Sequence, residues 1–139
     1  MRTKRLSMVL GLGLLLVAGA CSFSTANISS FKTTADKAGS KETSSFTPGD
    51  TIYGIAVISN SPGKTKVTAR MVVEDVSGYP VGPIQGLETS LDVDGSNTAT
   101  FNFTPPPSGW PKGKYKLEVV MLNEQGEQKD QKSASYTVS

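Results

Sequence analysis

The sequence predicts an all-β fold, an antiparallel sandwich of about seven strands that follows an export leader and a polar tether. Three observations carry that prediction. Apolar and polar residues alternate with period two along several stretches beyond Ser45. Clusters of Gly, Pro, Asn and Asp separate those stretches at short intervals, as turns between strands require. No segment holds a helical period, because Gly or Pro interrupts every long candidate.

The elements follow in chain order. ISSFKTT, starting at Ile28, predicts a first edge strand, and residues 28–45 as a whole read as a loosely held strand and polar loop. Phe46-Thr47-Pro48-Gly49-Asp50 is a turn leading into TIYGIAVIS, whose two faces are both apolar, as in a central strand. KTKVTARMVVED alternates: Val67, Ala69, Met71 and Val73 share one face, and Lys66, Thr68, Arg70 and Glu74 the other. SGYPVGPIQG, Ser77 to Gly86, is too rich in Gly and Pro for regular structure. ETSLDV is a short strand that reaches Asp94-Gly95, a strong hairpin signal. TATFNFT turns Ala99, Phe101 and Phe103 inward. After the loop PPPSGWPKG, KYKLEVVML aligns Tyr115, Leu117, Val119 and Met121, and SASYTV aligns Ala134, Tyr136 and Val138. The outward residues of these strands include Val72, Val120 and Leu122.

Residues 1–20 place three positive charges before an apolar stretch from Leu6 to Ala20, the pattern of an export signal. That run is shorter than the ~18 apolar residues of a spanning helix. Ala18-Gly19-Ala20-Cys21 resembles a bacterial lipobox, with cleavage between Ala20 and Cys21. The resemblance implies a diacylglycerol on the Cys21 sulfur and residues 21–27 as a lipidated tether. It further implies a bacterial envelope protein that faces the periplasm or the cell surface. Ser22, where Asp would retain the chain at the inner membrane, points to the outer membrane. Two or more acyl chains make such an anchor durable, at about 0.8 kcal/mol per buried CH₂.

The sequence also narrows the chemistry. It has no histidine and one cysteine, so the commonest general base, an intrachain disulfide and a Cys-rich zinc site are all missing. No nucleophile elbow, P-loop, HExxH or CxxC occurs. The expectation is therefore no enzyme, no cofactor and no metal. Without the three basic residues of the leader, eleven Lys and Arg face twelve Asp and Glu, so a nucleic-acid partner is not expected either.

Several constellations have both a binding and a structural reading. Asp92-Val93-Asp94-Gly95-Ser96-Asn97 resembles the start of a calcium loop without its downstream Glu, and also reads as a turn. Trp110 and Tyr115 suit either a stacking platform or a plug for one end of the sandwich. Lys112, Lys114 and Lys116 alternate on one face, where they could meet an anion or guard a solvated or edge strand. With Tyr79 in the preceding Gly/Pro stretch, Trp110 and the three lysines make the candidate binding surface.

The run FTPGDTIYGIAVISNSPGKTKVTARMVV, then TATFNFT, GWPKGKYKLEVVMLN and SYTV, resembles a bacterial immunoglobulin-like domain found in envelope lipoproteins. Its W-P-x-G-x-Y arrangement is similar to that of macroglobulin-type sandwich domains. The resemblance implies an immunoglobulin-like antiparallel β-sandwich over 28–139. With no catalytic machinery in the sequence, the expected role is a non-catalytic module that binds an envelope protein or a cell-wall or envelope polymer, beside the bilayer held through Cys21. The alternatives are an enzyme inhibitor acting through a Pro-rich loop and an unrecognised hydrolase.

Overall fold

The structure is a computed structural model and describes residues 26–139. Ala20 and Cys21, the expected cleavage and lipid-attachment positions, lie outside the described residues. Within them the chain forms strands only: β1 (Asn27–Thr34), β2 (Ser45–Phe46), β3 (Ile52–Ser59), β4 (Lys64–Val76), β5 (Gly82–Asp94), β6 (Asn97–Phe103), β7 (Gly113–Leu122) and β8 (Gln128–Val138). They make two sheets, β1-β3-β6 and β2-β8-β7-β4-β5, face to face. Neighbours are antiparallel, except that the two residues of β2 run parallel to the end of β8. This is the all-β sandwich that the alternation predicts.

The core lies between the sheets and comes from the alternation in each strand. Ile52, Ala56 and Ile58 of β3 face Val67, Ala69 and Met71 of β4 and Leu117, Val119 and Met121 of β7, and each of these is essentially inaccessible to solvent. Phe101 and Phe103 of β6 and Tyr136 and Val138 of β8 complete it. At about 25 cal/mol per Å² of apolar surface, burial on this scale is the main force holding the two layers together.

Three features differ from the sequence expectation. β5 starts at Gly82 rather than near Glu88. Its register with β4 jumps from Arg70↔Glu88 to Val72↔Pro83, so Ile84, Gln85, Gly86 and Leu87 bulge opposite Met71. The Gly and Pro that argue against a strand are accommodated because β5 is an edge strand, where a missing N–H on the solvent side costs little. Second, β5 and β6 belong to different sheets, so Asp94-Gly95 is a corner between layers rather than a hairpin. Gly95 N–H donates to the Gly63 carbonyl at 3.0 Å and fixes that corner.

Third, the segment expected to be loosely held is pinned. β1 pairs with β3 from Asn27↔Ser59 to Thr34↔Tyr53, and Ile28 and Thr34 are fully buried. Thr33 Oγ1 donates to the Thr43 carbonyl at 2.6 Å, and Asp36 accepts the Lys41 N–H at 2.8 Å. Lys32 Nζ reaches the Gly39 carbonyl at 3.0 Å, laying the intervening loop against Ile55.

The strand order sorts the loops into two ends. At one end lie Asn27, the turn after β3, the β5–β6 corner and the β7–β8 turn, as Asn27↔Ser59, Lys64↔Asp94 and Lys66↔Leu122 require. At the other lie the turn before β3, the β4–β5 tip, the loop before β7 and the C-terminal residue, as Ile52↔Phe103, Val76↔Gly113 and Gly113↔Val138 require.

Candidate binding surface

The second end is organised by Trp110. Its ring is 4% exposed, its indole N–H donates to the Asp50 carbonyl at 2.7 Å, and its backbone N–H donates to the Pro48 carbonyl at 2.8 Å. Gly109 precedes it because the chain passes so close to Pro48 that a Cβ would sit 2.9 Å from Pro48 Cβ. Gly113 is needed more strictly. Its φ is +151°, and a Cβ there would lie 2.5 Å from the Asp75 carbonyl oxygen. The W-P-x-G-x-Y spacing is thus the geometry of one corner: an aromatic plug, a turn, a close approach of β7 to β4, and Tyr115 entering the core.

Tyr115 is 2% exposed and donates its hydroxyl to the Pro111 carbonyl. It stacks on Tyr136 with ring centroids 5.5 Å apart and planes 10° from parallel, while Phe46 meets Tyr136 edge-on. Burial, with a smaller contribution from Tyr79, raises the Tyr115 pKa above the usual phenol value. Burial raises that of Tyr136 as well, followed by the influence of Tyr115. The Tyr136 hydroxyl has no hydrogen-bond partner among the described residues.

Of the residues read as a candidate surface, Trp110 is therefore inside the sandwich, because its large apolar ring fills the end of the core. Tyr79, Lys112 and Lys114 are exposed and brought to the same end, Tyr79 at 55%. Val81, 76% exposed beside Pro80, joins Tyr79 in an apolar tip on the β4–β5 connection. Pro106, Pro107 and Ser108 are exposed at the same end.

Lys116 departs from the stripe. Its ammonium lies 3.4 Å from Glu118 Oε2, and Arg70 Nε lies 2.7 Å from Glu118 Oε1. β7 is interior to its sheet, so these lysines guard no edge and sit instead on its solvated face. Burial tends to raise the Glu118 pKa, but the hydrogen bonds and charges of Arg70 and Lys116 outweigh it, and the net shift is downward. Sequence reasoning placed Arg70 on the outward face without a partner. Only the β4–β7 register, Arg70↔Glu118, brings the two together.

A cleft of about 310 Å³ opens beside this end, lined by Ser44, Ser45, Glu74, Lys114, Ser135 and Thr137 among others. Ser135 Oγ donates to Glu74 Oε1 at 2.9 Å across its floor. Its polar groups are hydroxyl, carboxylate and ammonium, set beside Tyr136 and the apolar parts of the other lining side chains. Among the described residues no group of three or more Asp, Glu or Cys is placed to hold a metal ion. Asp92 to Asn97, the calcium-like run, forms the β5–β6 corner.

This fold and surface define a β-sandwich module. No family model and no curated protein matches the sequence. Among solved structures, the chain is similar to part of a cycloisomaltooligosaccharide glucanotransferase from Paenibacillus sp., with TM-score 0.51 and 16% identity over 83% of this chain and 14% of that one. A Niemann-Pick type C2 protein from the Japanese carpenter ant has TM-score 0.48 and 13% identity, covering 84% of this chain and 94% of that one. The PmoD soluble domain from Methylocystis sp. has TM-score 0.45 and 14% identity, covering 78% and 89%. The chain spans only 14% of the glucanotransferase and 16% of a β-glucosidase from Listeria innocua to which it is also similar. At such identities the likeness concerns the β-sandwich fold alone.

Proposed function

We propose that this protein is an envelope lipoprotein whose sandwich is a non-catalytic binding module held at the membrane through Cys21. One observation carries the reading: β1 enters at the end of the sandwich opposite the exposed Tyr79, Val81 and Pro106–Ser108 rim. Asn27 lies six positions beyond Cys21, a span of at most about 20 Å of extended chain. An anchor there leaves the rim on the side away from the bilayer, where a partner in the envelope can reach it. The partner class is another envelope protein or an envelope polymer. An apolar tip beside Lys112 and Lys114 suits a mixed apolar and anionic surface.

The test is the intact mass and membrane fractionation of the mature protein, wild type against Cys21→Ala, followed by crosslinking from the rim. A lipid-sized increment on a chain starting at Cys21, lost with membrane association in the variant, supports the anchor. A Tyr79→Ser/Val81→Ser variant that keeps its fold and membrane association but loses its crosslinked neighbour supports the rim. An unmodified soluble chain would overturn the first part, and an unchanged crosslink pattern the second.

A further inference from the structure

Each sheet edge in this sandwich is covered or blunted, with one exception. β8 is paired by β2 only over Thr137 and Val138, with Thr137 N–H on the Ser44 carbonyl at 2.8 Å, and the rest of the strand carries Lys129, Asp130 and Lys132. β1 is engaged along its outer side by Thr43 N–H on the Thr33 carbonyl at 3.1 Å and by Ile28 N–H on Asp130 Oδ2 at 2.8 Å. β5 carries Glu88, Asp92 and Asp94 and a bulge at Ile84–Leu87, devices that oppose edge-to-edge pairing.

β6 has none of these devices. Its sequence, NTATFNF, lacks charge and Pro, and its seven-residue register with β3 runs without a shift. It is the terminal strand of its sheet. Thr98 N–H does not bond to β3 but is held by its neighbour's side chain, Asn97 Oδ1 at 2.9 Å, a local contact that pairing would exchange for one across the edge. Backbone groups alternate sides along a strand, so Thr98, Thr100 and Asn102 direct theirs to the open edge. Thr98 and Asn102 are exposed and Thr100 half-exposed.

We propose that two copies of this chain associate by antiparallel pairing of their β6 edges about a twofold axis at Thr100. The pairing would join the three-stranded sheets into one of six strands. A second copy fits because the strand is complementary to itself in this register. Thr100 meets the partner's Thr100, and Thr98 meets the partner's Asn102, pairs that hydrogen-bond across strands. On the inner face Ala99 lies opposite the partner's Phe101, small against large. No charge on β6 opposes its own copy, and a twofold axis closes the assembly at two subunits. The inference is independent of the membrane anchor and of the rim.

The experiment introduces Thr100→Cys into a full chain carrying Cys21→Ala, so that the new thiol is the only one. A hydrogen-bonded antiparallel pair has a Cα separation of about 5.5 Å, inside the range a disulfide spans. Mild oxidation is expected to link two chains rapidly. Ser90→Cys, on the solvated face of the other sheet, serves as the control and is expected to link slowly. Sedimentation of the otherwise unaltered chain is expected to show a dimer. Thr98→Lys with Asn102→Lys, which sets like charges opposite each other, should raise its dissociation constant at least about tenfold. A monomer at every concentration, Thr100→Cys linking no faster than Ser90→Cys, or a dimer indifferent to the two lysines would each overturn the proposal. Circular dichroism on each variant confirms that the sandwich is intact.

Discussion

The indole of Trp110 donates its N–H to the main-chain carbonyl of Asp50 at 2.7 Å, tying together two loops sixty positions apart in sequence. One side chain thus closes the end of the core and satisfies a backbone acceptor in the turn before β3. Trp110→Ala removes both contributions. It should cost about 3–5 kcal/mol, the usual loss for truncating a buried large aromatic. Urea unfolding measures it; a loss below about 1 kcal/mol would mean that the ring is not holding the end of the sandwich.

Gly113 tests the same corner through the backbone. With φ at +151° and the Asp75 carbonyl 2.5 Å from where a Cβ would be, an added methyl cannot be absorbed by side-chain movement. Gly113→Ala should destabilise by more than about 2 kcal/mol, since strain at positive φ adds to the clash. Gly78→Ala supplies the contrast. It has a similar need for positive φ, +84°, but nothing within 4 Å of the added carbon. Its cost should be limited to about 1 kcal/mol, measured in the same urea titration.

Much of this was legible in the residues, and the exceptions have physical reasons. Inward sets on β4, β6, β7 and β8 follow from alternation alone, but the outward face is not uniformly wet: Val72 and Glu118, both on it, are buried. The first half of β5 was not legible, because Gly and Pro report local backbone preference and only the edge position of the strand excuses them. Asp94-Gly95 was read as a turn, but a tight turn is equally able to pass the chain between layers. The Arg70–Glu118 pair depends on β4 lying beside β7 rather than on anything near either residue in sequence. Trp110 had two readings, and burial by loops distant in sequence decides for the structural one.

The Arg70–Glu118–Lys116 group gives the protein an acid-sensitive component. The folded-state pKa of Glu118 is depressed, so its contribution is fully present above the unfolded carboxylate pKa. It is lost as the pH falls through that lower folded value. Glu118→Gln should therefore flatten the acid limb of the stability profile. At neutral pH it should cost about 1–2 kcal/mol, reduced from a buried pair's value because the Arg70 side chain is 39% exposed. Unfolding free energy measured between pH 2 and neutrality checks this. A variant whose profile parallels the wild type would show that other carboxylates carry the acid dependence.

The two stacked tyrosines make opposite predictions from nearly identical surroundings. Tyr115 and Tyr136 are each 2% exposed and lie face to face, yet only the Tyr115 hydroxyl has an acceptor, the Pro111 carbonyl. Tyr115→Phe removes a made hydrogen bond and strands that carbonyl, so it should cost about 0.5–1.5 kcal/mol. Tyr136→Phe removes a polar group that is desolvated without compensation, so it should be neutral or stabilise by up to about 1 kcal/mol. Shape and stacking are the same in both variants, which isolates the hydroxyl as the variable. Equal losses for the two would mean that the Tyr136 hydroxyl does have a partner in solution, and an ordered water inside the sandwich is the group that could supply it.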